Sequence, residues 1–327
     1  MTRESQAAVL NREPVKSDFL SETIAGLSST HRTLPCKYFY DACGAALFQK
    51  ISELPEYYLT RAELQILDRH ADDIATALGP KIELIGLGTG AGTKTRILLE
   101  KLEGPIAYIP VDISKKQLER SAASFRKIFP TVEILPVCGD YLEPIRLPSA
   151  ACQAKRKIVY FPGSTIGNFE PDAGRQFLQR IAGYCGRDGG LLIGVDLQKD
   201  RHVLERAYND SAGITAQFNL NLLARANREL GADFDLEQWR HNAVYNSTKG
   251  RIEIYLVSNI DQTVRVQGRQ FDFRAGERIT TEYSYKYTKE SFIELARTAG
   301  FDFAQMWTDD TCWFGVFYFI RSLDTSG

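Results

Sequence analysis

The sequence predicts an α/β protein: a doubly wound parallel sheet with a second, smaller α+β domain. Three observations carry that prediction. Short apolar runs alternate with helical segments from residue 82 to residue 195, and the first run breaks into the glycine-rich "GLGTGAGT". Beyond Asp200 the alternation stops, and strand-like segments follow one another. Strands separated by helices build a parallel sheet covered on both faces, whereas strands joined directly pair antiparallel.

Composition sets the bounds. At 327 residues and 44% hydrophobic, the chain has material for one large domain or two ordinary ones. Forty basic against forty-one acidic residues give a formal charge of −1, so no net field favours nucleic acid or a membrane, and a small molecule is the expected partner. The start "MTRESQAAVLNREPVKSDFL" has no basic region followed by an apolar stretch, and no apolar run reaches bilayer length, which predicts a cytoplasmic protein; a monomer is expected. Cys36, Cys43, Cys138, Cys152, Cys185 and Cys312 form no C-x-x-C pair, and His31, His70, His202 and His241 form no H-x-x-x-H pair. No metal site is expected, and the cysteines are expected to be reduced thiols in or near the core.

The elements follow in order. Residues 1–17 are polar and aperiodic and read as a loosely held tail. "SDFLSETIAGLSS" reads as a short helix leading into an aromatic-rich stretch that ends at Pro55, Tyr57 and Tyr58. Thr60 and Glu63 have capping-box spacing, and Leu64, Ile66, Leu67, Ile74 and Leu78 line one face of the helix they open. Strands are predicted at 82–87, 106–111, 132–137, 158–161 and 191–195, with "KTRILLEKL", "SKKQLERSAASFRKIF" and "AGRQFLQRIAGYC" as helices. Right-handed crossovers place the carboxyl ends of these strands on one edge, where ligands bind. "DRHVLERAYNDSAGITAQFNLNLLARANRELG" is mostly helical, and "GRIEIYLVSN", "QTVRVQGRQFDF" and "ERITTEYSYKY" read as antiparallel strands. A capped helix from Thr288 and two closing strands return to the sheet. The predicted division is 60–200 with 287–327 for the sheet domain, and 18–59 with 201–286 for the second domain.

The motifs lie on the ligand-binding edge. Gly88, Gly90 and Gly92 are spaced G-x-G-x-G, a nucleotide-type loop lacking the third glycine of the dinucleotide fingerprint. Asp112 ends the second strand, where an acid accepts hydrogen bonds from both hydroxyls of a ribose. "VCGDYLE" puts Asp140 and Tyr141 at the end of the third strand, where an adenine is held. This set suits S-adenosylmethionine better than NAD, and the charge of Lys94 meets a carboxylate better than a diphosphate. Two plainer readings stay open: Asp112 as a cap for the helix starting at Ser114, and Asp140 as a turn residue. At the end of the fourth strand, "FPGSTIGN" offers the Asn168 amide to a carboxylate or an amine, or else an Asx-turn into the helix after Pro171.

Several long motifs now line up. "KYFYDACGAALFQKISELPEYYLTRAE", "GTGAGTKTR", "FPGSTIGN", "RAYNDSAGITAQFNLNLL", "NRELGADFDLEQW" and "TTEYSYKY" closely resemble the histidine Nα-methyltransferases of ergothioneine biosynthesis, a family with fungal tryptophan-type members. The resemblance runs from Lys37 to the C-terminus. It implies a Rossmann-like methyltransferase sheet that binds S-adenosyl-L-methionine through Gly88, Lys94, Asp112, Asp140 and Tyr141. It also implies that Asn168 and Tyr208 hold the substrate carboxylate, that Tyr57, with Tyr40 and Phe48, lines the substrate pocket, and that Glu282 and Ser284 read an imidazole. Taken alone, Tyr57 and Tyr208 would be core-edge tyrosines, and Glu282 and Ser284 a solvated pair on one strand face.

The sequence also departs from the family pattern. Gly86 stands where an acid is usual, Gly92 and Thr93 where serine or glutamate is frequent, and Ile254 where some members carry methionine, so a stiffer side chain reshapes the imidazole end. The implied reaction is methyl transfer to the α-amine of L-histidine, repeated to give the trimethyl betaine hercynine. The amine's reference pKa is about 8, so its proton can pass to solvent or to a nearby tyrosine, with Tyr57 and Tyr40 the candidate catalytic residues. The alternatives are N-methylation of another amine such as tryptophan, and a cofactor-binding protein without turnover.

Overall fold

The computed structural model describes residues 10–11, 16–88, 90 and 92–322. In chain order these form β1 (Leu10–Asn11), α1 (Lys16–Ser28), α2 (Ala42–Glu53), α3 (Tyr58–Leu78), β2 (Ile82–Leu87), α4 (Thr93–Lys101), β3 (Ala107–Asp112), α5 (Lys115–Ile128), β4 (Glu133–Ile134), β5 (Val137–Cys138), β6 (Arg156–Phe161), α6 (Pro171–Cys185) and β7 (Gly190–Asp196). They continue as α7 (Arg201–Tyr208), α8 (Ile214–Leu230), β8 (Trp239–Asn246), β9 (Arg251–Ser258), β10 (Gln262–Val266), β11 (Arg269–Phe273), β12 (Arg278–Tyr285), α9 (Lys289–Arg297), β13 (Phe301–Thr308) and β14 (Phe314–Arg321). Two units separate. The first holds β1, Ala62–Leu197 and the chain from Tyr287; the second holds Val15–Arg61 and Gln198–Lys286.

In the first unit the strand order is β1-β5-β3-β2-β6-β7-β14-β13, with β4 beside β3. Pairing is parallel from β1 to β7 and antiparallel for β14 and β13. The chain winds outward from β2 to β3 and β5, then restarts at β6 and winds the other way to β7. The switch point therefore lies between β2 and β6, where an α/β sheet opens a crevice at its carboxyl edge. Ile82, Leu84, Ile85, Ile158, Val159, Leu191 and Ile193 are all 0% exposed, the continuous apolar pattern of strands covered on both faces. Truncating one such Leu or Ile to Ala costs about 2–5 kcal/mol. α5 buries Leu118, Ala122 and Phe125, and the Phe125 ring packs 5.0 Å from Tyr108 of β3.

In the second unit β12-β9-β8 form an antiparallel sheet, and β10–β11 a separate hairpin turned by Gln267 and Gly268, both at positive φ. Along β9, Ile252, Ile254 and Leu256 are buried on one face, while Arg251, Glu253 and Tyr255 share the other. α2 is capped by Asp41, whose carboxylate accepts from Gly44 N (2.7 Å) and from Asn221 of α8 (2.9 Å).

Several expectations need correction. α3 starts at Tyr58, so Thr60 lies within its first turn and Glu63 is fully buried instead of reaching back to a cap. The strand expected at 132–137 is split into β4 and β5 because Pro136, lacking an N–H, cannot continue the ladder. The stretch after Asp200 is mostly helical, as expected, but in two helices: Asp210 accepts from Ile214 N and Thr215 N at the start of the second, each at 2.8 Å. Within the supposed tail, β1 pairs with β5 and α1 begins at Lys16; the rest of that tail lies outside the described residues. All six cysteines are free thiols, but Cys43, Cys152 and Cys312 are exposed instead of near the core.

Candidate active site

At the switch point, β2 is followed by Gly88 (φ +59°) and α4 starts after Gly92 (φ +79°). Gly92 is required twice over: its φ is left-handed, and a Cβ there would stand 2.5 Å from the Phe125 ring. Asp112 ends β3; one carboxylate oxygen accepts from Ser114 N (2.9 Å) and the other from Gly90 N (3.4 Å). It thus ties the glycine loop to the start of α5. Burial raises its pKa, against the lowering pull of these N–H groups. Asp140 accepts from Leu142 N (2.8 Å), the geometry of a turn. The neighbouring Tyr141 ring lies 3.2 Å from where a Cβ on Gly88 would stand and packs edge-on to Phe161 at 5.5 Å.

Across the switch point, Glu63 accepts from Lys94 Nζ and from Gly163 N (2.9 Å) through the same oxygen, Oε2. Its other oxygen sits against β7, where a Cβ on Gly194 would come within 2.4 Å of it. The carboxylate fits only because that position is glycine. Ser164 (φ +58°) accepts from Asp196 N at 2.9 Å, and Asn168 closes the single 3-10 turn Thr165–Asn168 that follows. The cap of α6 is Glu170.

This edge combines a side-chain-free backbone at Gly88, an acceptor at Asp112, an aromatic ring at Tyr141 and a cation at Lys94. Those groups fit an adenosine carrying an amino-acid tail: the acid can accept from a ribose diol, the ring can cover a base, and the ammonium can meet a carboxylate.

The second unit gathers the aromatic candidates. Tyr40 lies 5.6 Å from Phe48, Phe48 6.2 Å from Tyr57, and Tyr57 6.1 Å from Tyr208, each pair near edge-to-face. Tyr57 and Tyr208 are buried, whereas Tyr40 is 42% exposed. The Tyr208 hydroxyl is 2.9 Å from Ser284 Oγ. Glu282, two residues earlier on the same strand face, stands opposite Ile254 of β9.

Sequence reasoning missed four residues here. Phe218 of α8 packs 5.8 Å from Tyr40 and 6.0 Å from Phe48, and its spacing in the sequence is that of any buried helix position. Lys286 donates to both Tyr208 and Ser284, and the period of two along "EYSYK" was its available signal. His241 and Asn219 fix the Tyr208 backbone. Asn219 donates its amide N–H to His241 Nδ1 (3.0 Å), so the ring proton is on Nε2 and is donated to the Tyr208 carbonyl (2.8 Å). Burial lowers the His241 pKa, favouring that neutral form.

A family model for SAM-dependent, histidine-specific methyltransferases matches residues 19–321. The chain belongs to that family. Among this methyltransferase's relatives, the histidine N-alpha-methyltransferase of Mycolicibacterium smegmatis is 41% identical over 303 residues, covering 91% of this chain and 93% of that protein. The protein of the same name from Mycobacterium tuberculosis is 40% identical over 301 residues, covering 90% and 92%. Ergothioneine biosynthesis protein 1 of Neurospora crassa is 34% identical over 286 residues; the match takes in 85% of this methyltransferase and 32% of that longer protein. Among the described residues, no helix is long and apolar enough to cross a membrane.

Proposed function

We propose that this methyltransferase transfers methyl groups to the α-amine of L-histidine, three in succession, giving the trimethyl betaine used in ergothioneine biosynthesis. The observation that carries the reading is the contact series Tyr57–Tyr208–Ser284, with Glu282 on the face of β12 that bears Ser284. An aromatic wall, hydroxyl donors and a carboxylate acceptor are the groups needed to hold a zwitterionic amino acid with an imidazole side chain. In this reading Tyr208 and Asn168 each bind the α-carboxylate, Glu282 accepts from an imidazole N–H, and Ser284 meets the other ring nitrogen. Tyr57, Phe48, Tyr40 and Ile254 shape the space around the ring and amine.

In the first unit, Asp112 accepts from the ribose hydroxyls, Asp140 and Tyr141 hold the adenine, Gly88 allows its close approach and Lys94 faces the methionine carboxylate. Bound S-adenosylmethionine supplies an electrophilic methyl and a neutral thioether as leaving group. The protein's task is alignment: an uncharged amine held in line with the methyl, with water kept out. Strong base catalysis is unnecessary because the amine's pKa is about 8. Tyr57 and Tyr40 take up or relay that proton, Tyr40 to solvent.

The test is incubation with S-adenosylmethionine and a mixture of amino acids, with products read by mass. Mono-, di- and trimethylated histidine are expected. Preference for tryptophan or another amine, or methylation of a ring nitrogen, overturns the reading. The proposal takes the enzyme as a cytoplasmic monomer acting on a small molecule, and a dimer in sedimentation equilibrium would correct that part.

A further inference from the structure

Lys286 follows the last residue of β12, is 2% exposed, and has no role in the site assigned above. It continues the face that bears Glu282 and Ser284. Its ammonium lies 2.8 Å from the Tyr208 hydroxyl and 2.8 Å from the Ser284 hydroxyl, and those hydroxyls are 2.9 Å apart. The three groups close a triangle. An ammonium has protons to give and no lone pair, so both contacts are donations from Lys286 and both hydroxyl oxygens accept. The third side consumes one hydroxyl proton. The other hydroxyl proton is directed out of the triangle, toward a further acceptor.

We propose that Lys286 is a substrate-positioning residue: it holds the Tyr208–Ser284 hydroxyl pair with its one remaining proton outward and sets a positive charge behind it, so that Tyr208 grips the α-carboxylate of the amino-acid substrate. The proposal rests on the assignment of Tyr208 to that carboxylate. Without the ammonium, the hydroxyl pair can turn lone pairs outward, which a carboxylate repels. A buried ammonium is expensive compared with an apolar side chain of similar volume, and fixing two hydroxyls at a polar site gives that expense a use. The backbone is built to hold it there. Lys286 N donates to Gly250 O at 2.8 Å, and Lys286 O accepts from the Gln198 amide at 3.2 Å. Gly250 (φ +64°) lies so close to that amide that a Cβ would come within 2.8 Å of its nitrogen.

The experiment compares the full-length wild type with Lys286→Met and Lys286→Gln at saturating S-adenosylmethionine. It measures KM and kcat for histidine, calorimetric Kd for S-adenosylmethionine, and melting temperature. Lys286→Met should raise the histidine KM at least tenfold, with kcat down less than threefold and the S-adenosylmethionine Kd within twofold. Lys286→Gln, which keeps N–H donors without the charge, should fall between. In a Tyr208→Phe background, Lys286→Met should add less than threefold, because the hydroxyl it acts through is gone. A histidine KM within twofold of wild type overturns the proposal. So does equal weakening of both ligands, or a Lys286 effect that multiplies independently with that of Tyr208→Phe. If Lys286→Met fails to fold, Lys286→Gln and its double variant carry the same comparison. A wild type that ignores histidine overturns only the functional reading, and the variant ratio is then read on the amino acid it does methylate.

Discussion

Glu63 and Lys94 form an ion pair in which the carboxylate is wholly buried and the ammonium keeps 20% of its side-chain surface exposed. The same carboxylate oxygen anchors Gly163 N, so one residue of α3 fixes both the start of α4 and the loop after β6. Glu63→Gln keeps an acceptor for Gly163 but loses the charge, and should lower stability by about 1–3 kcal/mol while weakening S-adenosylmethionine. Glu63→Ala also strands the cation and should cost about 3–5 kcal/mol. Urea midpoints and calorimetry on both variants check this. Unchanged values would mean that the pair is a bystander.

Asp112→Ala should weaken S-adenosylmethionine by about 1.5–3 kcal/mol, the worth of a hydrogen bond to a charged acceptor. Asp112→Asn should cost less, because the oxygen serving Ser114 N can be kept. Calorimetric affinity in variants of wild-type melting temperature decides it, and no change in affinity removes the ribose assignment.

Asn168→Ala and Tyr208→Phe should each raise the KM for histidine much more than that for S-adenosylmethionine. Histamine, which lacks the carboxylate, should be a poor substrate of the wild type. Equal turnover of histamine and histidine would show that neither residue grips a carboxylate.

Glu282→Ala should reduce kcat/KM for histidine tenfold or more, the equivalent of about 1.5–3 kcal/mol, and should raise the tryptophan-to-histidine ratio. Ile254 faces Glu282 across the strand pair and remains in place, so the space gained is limited. Competitive turnover with both amino acids supplies the ratio, and a ratio that does not move argues against imidazole recognition by this acid.

His241 provides a pH test. Its folded pKa is lowered by burial, so as pH falls through about 6.5 the unfolded chain takes up the proton before the folded one does. Stability should therefore decline below about pH 6.5, and protonation at Nδ1 would also break the Asn219 contact. The urea midpoint should fall more between pH 7.5 and 5.5 for wild type than for His241→Gln; parallel curves would refute the link.

The sheet was legible because β2, β3, β6 and β7 are nearly unbroken apolar runs, and because Thr288 announces its helix with a capping box that Ser291 completes. β8 was missed. Its exposed and half-buried positions Arg240, His241 and Asn242 dilute the apolar signal, and its place is set by pairing with β9, a contact distant in sequence. The roles of Glu63 and Lys286 were hidden for a related reason: charged residues are by default solvated, and only the three-dimensional partners reveal that these two are buried. Tyr40, Phe48, Tyr57 and Tyr208 were picked out through motif resemblance. The contact series joining them draws on α2, on α7 and on the residues just before α2 and α3, and has no short-range pattern.

Leu197 and Tyr287 form a parallel bridge, and Tyr287 N donates to Asp196 O at 3.2 Å, so the chain leaves the sheet unit and re-enters it at adjacent backbone positions. Cut points that close together make the intervening segment exchangeable: a relative's Gln198–Lys286 equivalent can be grafted between the same two anchors without altering the strand order behind them. The architecture lets the sheet unit keep its strand order while the inserted segment, which carries Tyr208, Ile254, Glu282 and Ser284, is replaced; Tyr40, Phe48 and Tyr57 lie outside it, in Val15–Arg61.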